Sequence, residues 1–389
     1  MLEIYKANKK KVLLCAPTGR AAKRMSETTG EEAKTIHRLL EIGKIEEDKI
    51  NNVNIDLTPI DCDVLVIDEV SMVDSFLMNY IVKALYLGTK LVLVGDANQL
   101  PSVGPGSVLK DLIESEQFAS VSLNKIFRQA AKSKIIVSAH DVNNGKSFIG
   151  NKKNEDQEDD FFYINEQSQD KMLYDVVSLC NGRLKNYGNY DFFKNIQVLT
   201  PTKKGMIGTK DLNKCLQDAL NPSSKEKQEK IYGSITFREG DRVMQVKNNY
   251  DIYWEKGSSM NLKTFENGAG IFNGELGRII KINNEEKQIV VEFDDEKVAW
   301  YAYSELDELE LAYAITIHKA QGSEFDVVVM AVPPASNMLL TRNLLYTGMT
   351  RAKKLLVLIG NKKIIEFMIN NSEIKKRNTG LKYKLIDMK

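Results

Sequence analysis

Two nearby stretches of the chain end in side chains suited to chemistry on a phosphate. The first, DVLVIDE at 63–69, is an apolar run that closes on Asp68 and Glu69. Of two adjacent carboxylates at a strand end, one can hold Mg²⁺ with its water shell, and the other can orient and deprotonate an attacking water. The second, KLVLVGDANQ at 90–99, ends in Gln99, whose amide could lie close to a γ-phosphate. The alternative interpretation is a solvated charge at one strand end and a polar turn at the other.

Apolar runs rich in β-branched residues alternate with helical patterns, and these are the elements that must position the polar side chains. The runs are apolar on both faces, as strands of a parallel sheet are when helices cover both of its sides. This alternation predicts an α/β fold with parallel sheets, in which ligands bind at the carboxyl ends of strands. The predicted strands are 11–16, 63–67, 90–94, 196–199, 326–330 and 355–359, and the predicted helices are 20–28, 75–85 and 209–220.

Two interruptions divide this pattern. The run NKKNEDQEDD at 151–160 is polar, acidic and without periodicity, which predicts a loop between two α/β lobes. At 277–311, short apolar runs separated by polar turns predict a small antiparallel β insert. The predicted domains are therefore a first lobe at 1–150, a linker at 151–165, and a second lobe at 166–389 with the insert at 277–310.

Bulk composition indicates an ordinary globular protein. With 43% hydrophobic and 28% charged residues the chain is not of the disordered class, and no apolar run approaches the roughly 18–20 residues of a membrane span. The formal net charge is +1, so a nucleic-acid site would be a local lining rather than a basic face. Four scattered cysteines and only three histidines argue against a zinc site and indicate reduced thiols in a cytoplasmic protein.

Segments along most of the chain match, in order, the motifs of one family. LVIDEVSMVD at 65–74 and VLVGDANQLPSVGPGSVLKDLI at 92–113 resemble the second and third motifs of RecD-like superfamily 1 DNA helicases, the exodeoxyribonuclease V alpha-chain family. The resemblance implies two RecA-like lobes, with the insert an SH3-like subdomain. Further matching blocks are CAPTGRAAKRMSETTGEEAKTIHRLL (15–40), LNKIFRQA (123–130), VLTPTKKGMIGTKDLNKCLQDALNP (198–222), GDRVMQVKNNYD (240–251), AYAITIHKAQGSEFDVVVM (312–330) and LLYTGMTRAKKLLVLIG (344–360).

The resemblance implies ATP and Mg²⁺ as cofactors and assigns a task to each catalytic candidate. Asp68 would bind Mg²⁺, Glu69 would align water as the base, and Gln99 would sense the γ-phosphate. Two guanidinium groups would neutralise charge on the transferred phosphoryl group, since a planar fork can hold two phosphate oxygens at once. Arg128 and Arg351 would supply these two guanidinium groups. Glu324 would make the contact of the second lobe with the nucleotide.

A second set of residues is implied to bind single-stranded DNA. Hydroxyls, imidazoles and a few cations at the ends of β-strands can bind single-stranded DNA without recognising its base sequence. Free backbone N–H groups at the start of a helix can bind a phosphate. For His37 and His318 the alternative is a hydrogen-bonded histidine that ties a loop. The implied DNA-binding residues are Thr18, Gly19, Arg20, Thr35, His37, Thr200, Thr202, Lys203, Thr316, His318, Lys319 and Gln321.

The resemblance also implies the biological role. It predicts an ATP-driven helicase that translocates 5′ to 3′ on single-stranded DNA, acts at junctions with duplex in repair or recombination, and has nuclease or helicase subunits as candidate partners. The polar segment 41–59 would be a protrusion that splits the duplex, or alternatively a surface loop. The alternative function is a non-catalytic, DNA-binding helicase-like subunit of a nuclease complex. The presence of Glu69, Gln99, Arg128 and Arg351 together favours the motor.

One family feature is missing from these 389 residues. A motor of this type needs G-x-x-x-x-G-K-[ST], whose backbone N–H groups and lysine cradle the phosphates, and no such sequence is present. The opening residues MLEIYKANKKK resemble the end of the helix that normally follows this loop. We therefore expect that the loop and its strand precede Met1, that the sheet of the first lobe has an uncovered apolar edge, and that this chain alone is ATPase-deficient.

Overall fold

The chain folds into two compact units, Met1–Lys125 with Ile374–Lys389, and Ile126–Glu373. The computed structural model describes residues 1–42, 57–123, 130–150, 157–257, 266–372, 377 and 379–387. Across these ranges, no helix has both the length and the apolar character required to cross a membrane. Arg128 and most of the segment 41–59 lie outside the described residues.

The first unit is built on a parallel sheet. Its strands are Val12–Ala16 (β1), Ala33–Thr35 (β2), Val64–Ile67 (β3) and Lys90–Leu93 (β4), and its helices up to residue 123 are Leu2–Ala7 (α1), Gly19–Thr29 (α2), Ile36–Leu39 (α3), Ser75–Ala84 (α4) and Val108–Ser115 (α5). The strand order is β2-β1-β3-β4. All four residues of β3 are buried, whereas β4 lies at an edge of the described sheet and its three apolar residues are only half-buried.

The second unit is built on a five-stranded parallel sheet in the described residues. It comprises Lys134–Asn143 (α6), Phe161–Asn165 (β5), Gln169–Ser178 (α7), Leu184–Gly188 (α8), Phe192–Asn195 (α9), Ile196–Thr200 (β6) and Thr209–Leu220 (α10). A hairpin of Glu229–Tyr232 (β7) and Ile235–Arg238 (β8) follows α10. Burial is nearly complete in the central strands of the sheet, which is why their sequences are apolar on both faces.

An antiparallel sheet interrupts the second unit. Its strands are Arg242–Gln245 (β9), Asn249–Lys256 (β10), Glu266–Ile271 (β11), Leu276–Asn283 (β12), Gln288–Phe293 (β13), Lys297–Ala302 (β14) and Leu309–Leu311 (β15). Their inward side chains form a separate core with Tyr301 and Phe293 at its centre. The chain then completes the parallel sheet with Ala314–Thr316 (β16), Phe325–Val332 (β17), Arg342–Met349 (α11), Ala352–Gly360 (β18) and Lys362–Asn370 (α12), in the strand order β16-β6-β17-β18-β5, and ends in Leu381–Asp387 (α13) of the first unit.

The predicted α/β class with parallel sheets is confirmed, and all six predicted strands and three predicted helices occur at their predicted places. Three boundaries differ. Helix α6 packs against α11, so the second unit begins near residue 126 rather than after the predicted linker. The linker was predicted to run to 165, but Phe161–Asn165 is strand β5, paired with β18.

The other two boundaries concern the insert and the C-terminus. The antiparallel sheet begins at Arg242 rather than at 277, because β9 pairs with β12 and β15, and β10 pairs with β11 and β14. The C-terminal residues from 374 belong to the first unit rather than to the second, since α13 packs against α5.

Candidate nucleotide and DNA sites

The carboxylate pair lies at the end of strand β3. The backbone N–H of Asp68 donates to the carbonyl oxygen of Cys15 on β1 at 3.0 Å, which continues the sheet to its last residue. Asp68 Oδ1 accepts the N–H of Glu69 at 2.8 Å. Glu69 has φ 52° and ψ 39°, a left-handed conformation that costs a residue with a Cβ about 1–3 kcal/mol and is concentrated at functional sites. The turn after β3 therefore holds Glu69 in a strained backbone geometry directly beside Asp68.

The end of strand β4 lies against this same turn. The N–H of Val70 donates to the carbonyl oxygen of Val94 at 3.0 Å. A Cβ placed on Gly95 would lie 3.1 Å from the backbone nitrogen of Val70 and 3.2 Å from that of Ser71, so a side chain at this position would push the two turns apart by a few tenths of an ångström. Four residues later, Gln99 lines a cavity of about 490 Å³ together with Ser71. The structure thus brings the carboxylate turn and the glutamine loop together within the first unit.

The residues of this turn fit a magnesium ion. Mg²⁺ binds proteins through one or two carboxylates and takes its other oxygens from waters and substrate phosphates. Asp68 presents a half-buried carboxylate at a strand end, and among the described residues only its Oδ1 accepts a hydrogen bond. Asp68 would hold the ion, which when bound would shield the charge of the phosphate oxygens.

Arg351 and Glu324 lie together in the second unit. Arg351 is 3% exposed. Its Nε donates to the carbonyl oxygen of Thr347 and its Nη1 to that of Ser323, both at 3.1 Å, so the guanidinium is tied to the residue that precedes Glu324. Glu324 is half-buried, with Lys353 Nζ 3.6 Å from its Oε2. These two nucleotide candidates, separated by 27 positions in the sequence, are therefore neighbours at the start of strands β17 and β18.

In the first unit, two DNA candidates are threonines that cap helices at adjoining strand ends. Thr18 Oγ1 accepts the N–H of Ala21 at 3.3 Å at the start of α2, and Thr35 Oγ1 accepts the N–H of Arg38 at 3.1 Å at the start of α3. Strands β1 and β2 run parallel with Ala16 opposite Thr35, so both caps lie at one edge of the sheet. Gly19 and Arg20 form the first turn of α2, and His37 is half-buried in α3.

The second unit repeats this arrangement with strands β6 and β16. Thr200 lies opposite Thr316 in the parallel register, and the N–H of Ile317 donates to the carbonyl oxygen of Thr200 at 3.1 Å. Thr200 is fully buried and its hydroxyl donates to the carbonyl oxygen of Ile207 at 2.7 Å, so this hydroxyl holds the loop rather than facing solvent. The Thr316 hydroxyl accepts the N–H of Lys319 at 3.3 Å.

The remaining DNA candidates differ in how accessible they are. Lys203 is exposed, whereas the Thr202 hydroxyl is buried and has no hydrogen-bond partner among the described residues. His318 is exposed, although partial desolvation lowers the pKa of its imidazole below its ordinary value. Lys319 is paired with Glu310 at 2.8 Å, and Gln321 is buried.

Sequence reasoning missed Arg377. Its guanidinium donates to carbonyl oxygens of the loop that follows Gln99, including that of Gly106 at 2.7 Å. No local pattern marks this arginine, because its partners lie more than 270 positions away in the sequence.

Three family models match successive parts of the chain. A family model described as an AAA domain matches residues 1–158, one described as the ATP-dependent RecD-like DNA helicase SH3 domain matches residues 212–293, and one described as the UvrD-like helicase C-terminal domain matches residues 311–359. The SH3 match overlaps the antiparallel sheet, so the predicted SH3-like insert is confirmed, although its range differs from 277–310.

Two curated relatives illustrate the similarity. The chain is 34% identical over 345 residues to the ATP-dependent RecD2 DNA helicase of Deinococcus radiodurans, covering 87% of this chain and 41% of that protein. It is 28% identical over 424 residues to the RecBCD enzyme subunit RecD of Buchnera aphidicola subsp. Schizaphis graminum, covering 93% of this chain and 67% of that protein. Among solved structures, a crystal structure of Bacteroides Pif1 bound to ssDNA has a TM-score of 0.49 at 18% identity, with 99% of this chain and 88% of that chain covered, a likeness too low to support an inference.

Proposed function

The chain belongs to the RecD-like superfamily 1 helicases, and from this membership we propose that it is the motor core of an ATP-dependent DNA helicase. The observation that carries the proposal is the meeting of two strand ends in the first unit. Val70 and Val94 join the turn that bears Asp68 and Glu69 to the loop that leads to Gln99. A carboxylate for Mg²⁺, a base for water and an amide for the γ-phosphate are the groups that phosphoryl transfer requires.

We further propose how the work is divided among the side chains. Glu69 accepts a proton from the attacking water, Gln99 orients groups at the γ-phosphate, and Arg128 and Arg351 neutralise the charge that develops on the transferred phosphoryl group. Glu324, which adjoins the residue that binds Arg351, contacts the nucleotide from the second unit.

The DNA site is proposed to follow the carboxyl ends of strands in both units. The caps Thr18 and Thr35, and the exposed Lys203 that follows Thr202, are suited to phosphates of a single strand. We also propose that the protein moves from 5′ to 3′ on single-stranded DNA and acts at duplex junctions in repair or recombination. Its proposed partners are nuclease or helicase subunits, and its proposed location is the cytoplasm. The name of the RecD relative, a subunit of the RecBCD enzyme, supports a role within a complex.

A second candidate function is favoured by one observation. The 389 residues contain no G-x-x-x-x-G-K-[ST], so nothing in them supplies the backbone cradle and lysine that hold the β- and γ-phosphates. A non-catalytic, DNA-binding helicase-like subunit would have the same fold without hydrolysis. We propose that this chain by itself binds ATP poorly, and that the remaining catalytic groups become active once the cradle is supplied.

The test compares the 389-residue chain with an extended chain, in which a strand, a G-x-x-x-x-G-K-[ST] loop and a helix are joined to Met1. We expect a fluorescent ATP analogue to bind the 389-residue chain more weakly than micromolar, and single-stranded DNA to stimulate ATP hydrolysis by the extended chain only. We also expect a higher melting temperature in the extended chain, because a strand paired with β4 would cover its apolar edge.

The control is the extended chain with the lysine of its loop changed to alanine, which should fold equally well and lack hydrolysis. An extended chain that folds and binds DNA but does not hydrolyse ATP would contradict the motor and support the non-catalytic subunit. Micromolar binding of the ATP analogue by the 389-residue chain would contradict the proposed need for the cradle.

A further inference from the structure

The side chain of Arg377 is bonded to the loop that follows Gln99. Its Nη1 donates to the carbonyl oxygens of Gly104 and Gly106, the second at 2.7 Å, and to Ser102 Oγ at 3.2 Å. Its Nη2 donates to the carbonyl oxygen of Ser102. The planar guanidinium presents five donors in a fixed fork, so it can bind three carbonyls of one loop at once.

The opposite face of this loop packs against the start of helix α4. A Cβ on Gly104 would lie 1.9 Å from Asp74 Oδ2, and a Cβ on Gly106 would lie 1.9 Å from Ser75 Oγ. The N–H of Ser75 donates to the carbonyl oxygen of Pro105 at 2.9 Å. The loop therefore lies between α4 and Arg377, with its glycines and the carbonyl of Pro105 against the helix, and the carbonyls of Ser102, Gly104 and Gly106 toward the guanidinium.

The residues after Arg377 are anchored to helix α5, which directly follows the loop. Thr379 Oγ1 donates to Asp111 Oδ2 at 2.8 Å, and Asp111 is only 6% exposed. Lys382 Nζ lies 3.0 Å from Glu114 Oε2, and this hydrogen bond lowers the pKa of the Glu114 carboxyl below its ordinary range. The C-terminal segment is thus anchored to α5 directly after the arginine contact.

Arg377 and Gln99 also line the same cavity of about 490 Å³, with Ser71 from the carboxylate turn on its wall. An arginine that fixes the loop three to seven residues beyond Gln99 determines where the loop, and hence the amide, can lie. We propose that Arg377 is a positioning residue, which holds the loop 102–106 so that Gln99 reaches the γ-phosphate. This rests on the proposed motor function, and it assigns to the C-terminal segment a part in the catalytic site of the first unit.

The first measurement is hydrogen–deuterium exchange in the 389-residue chain, which does not depend on ATP hydrolysis. In Arg377→Ala, exchange at the loop, reported by the N–H of Ser75 that donates to the carbonyl oxygen of Pro105, should be about tenfold faster than in the wild type, because the loop that loses its arginine opens more often. Lys384→Ala is the control, since Lys384 is an exposed cation of the same segment. It should leave exchange in the loop unchanged.

The second measurement is DNA-stimulated ATP hydrolysis by the extended chain. Arg377→Ala should lower kcat by about 10–100-fold, the cost of a catalytic group displaced by about 1 Å, with KM for ATP within about threefold of the wild type. Arg377→Lys should recover part of kcat, because an ammonium group can bind one or two of the carbonyls but not all three. Lys384→Ala should hydrolyse ATP at the wild-type rate.

The outcomes separate this proposal from the motor on which it rests. If the wild-type extended chain does not hydrolyse ATP, the proposed function fails, and the exchange measurement still decides whether Arg377 holds the loop. If the wild type is active and Arg377→Ala keeps its kcat, or if kcat falls while loop exchange is unchanged, the positioning role of Arg377 is wrong.

Discussion

Replacing Arg351 by alanine in the extended chain is expected to lower the rate of DNA-stimulated ATP hydrolysis by about 10³–10⁵-fold, the contribution of an arginine to phosphoryl transfer in related motors. The guanidinium lies at the start of β18, where Ser323 and Thr347 hold it beside Glu324. Arg351→Lys should recover little, because an ammonium group cannot hold two phosphate oxygens in one plane. The measurement is steady-state hydrolysis at saturating single-stranded DNA.

The matched control is Arg183→Ala. Arg183 belongs to the same unit, but it is a surface arginine whose partner is Asp175 at 3.5 Å. Its removal should change the hydrolysis rate less than twofold, because exposed ion pairs contribute about 1 kcal/mol or less and this one lies outside the proposed site. Because Arg351 is buried, the melting temperature of each variant is measured as well. A folded Arg351→Ala variant within tenfold of the wild-type rate would contradict the assigned role.

The second large effect is expected at Asp241, which joins the antiparallel sheet to the α/β part of its unit. This fully buried carboxylate accepts four hydrogen bonds, from Gln217 Nε2 at 2.6 Å, Asn221 Nδ2 at 2.7 Å, the N–H of Arg238 at 2.7 Å and the hydroxyl of Tyr313 at 2.8 Å. Burial raises the pKa of Asp241 above its ordinary value, although these bonds act in the opposite direction. Asp241→Ala would leave buried donors without an acceptor and should cost about 3–5 kcal/mol of unfolding free energy.

This prediction is measured by urea unfolding followed by tryptophan fluorescence. Both tryptophans of the chain, Trp254 and Trp300, lie in strands of the antiparallel sheet, so the signal reports on the part that Asp241 anchors. Tyr313→Phe removes one of the four bonds and should cost about 0.5–1.5 kcal/mol. The exposed Asp251 provides the control, and Asp251→Ala should stay within about 0.5 kcal/mol of the wild type. A loss below 1 kcal/mol for Asp241→Ala would contradict the anchoring role.

The central strands were predictable because a strand that is buried on both faces has apolar residues at consecutive positions. Strand β3 is buried along its whole length, and its four residues Val64–Ile67 are all apolar. Strand β2 has no such pattern, because it has three residues and only Thr35 is buried. Strand β5 has the sequence FFYIN, but it directly follows the polar run at 151–160, and the linker predicted from that run extends over it.

The candidate site was predictable where one motif holds several functional residues, and not where contacts are remote. Asp68 and Glu69 follow a recognisable strand, but the left-handed backbone of Glu69 is set by the packing of the turn. Residue type did not show that the hydroxyl of Thr200 is already bonded to Ile207. Arg377 could not be predicted, because hydrogen bonds between distant segments follow from the fold and not from local periodicity.

The most direct test of the proposed motor is whether Gln99 and Arg351, which belong to different units, act on one nucleotide. The ligand is the Mg²⁺ complex of ADP–aluminium fluoride, which mimics the transferred phosphoryl group. Its dissociation constant is measured for the extended chain, for Gln99→Ala, for Arg351→Ala and for the double variant. If the two side chains act on one nucleotide, the two changes should show a coupling free energy of about 0.5–3 kcal/mol, as for residues that share one network of contacts. Losses of binding free energy that simply add, to within about 0.5 kcal/mol, would show that the two side chains serve separate sites.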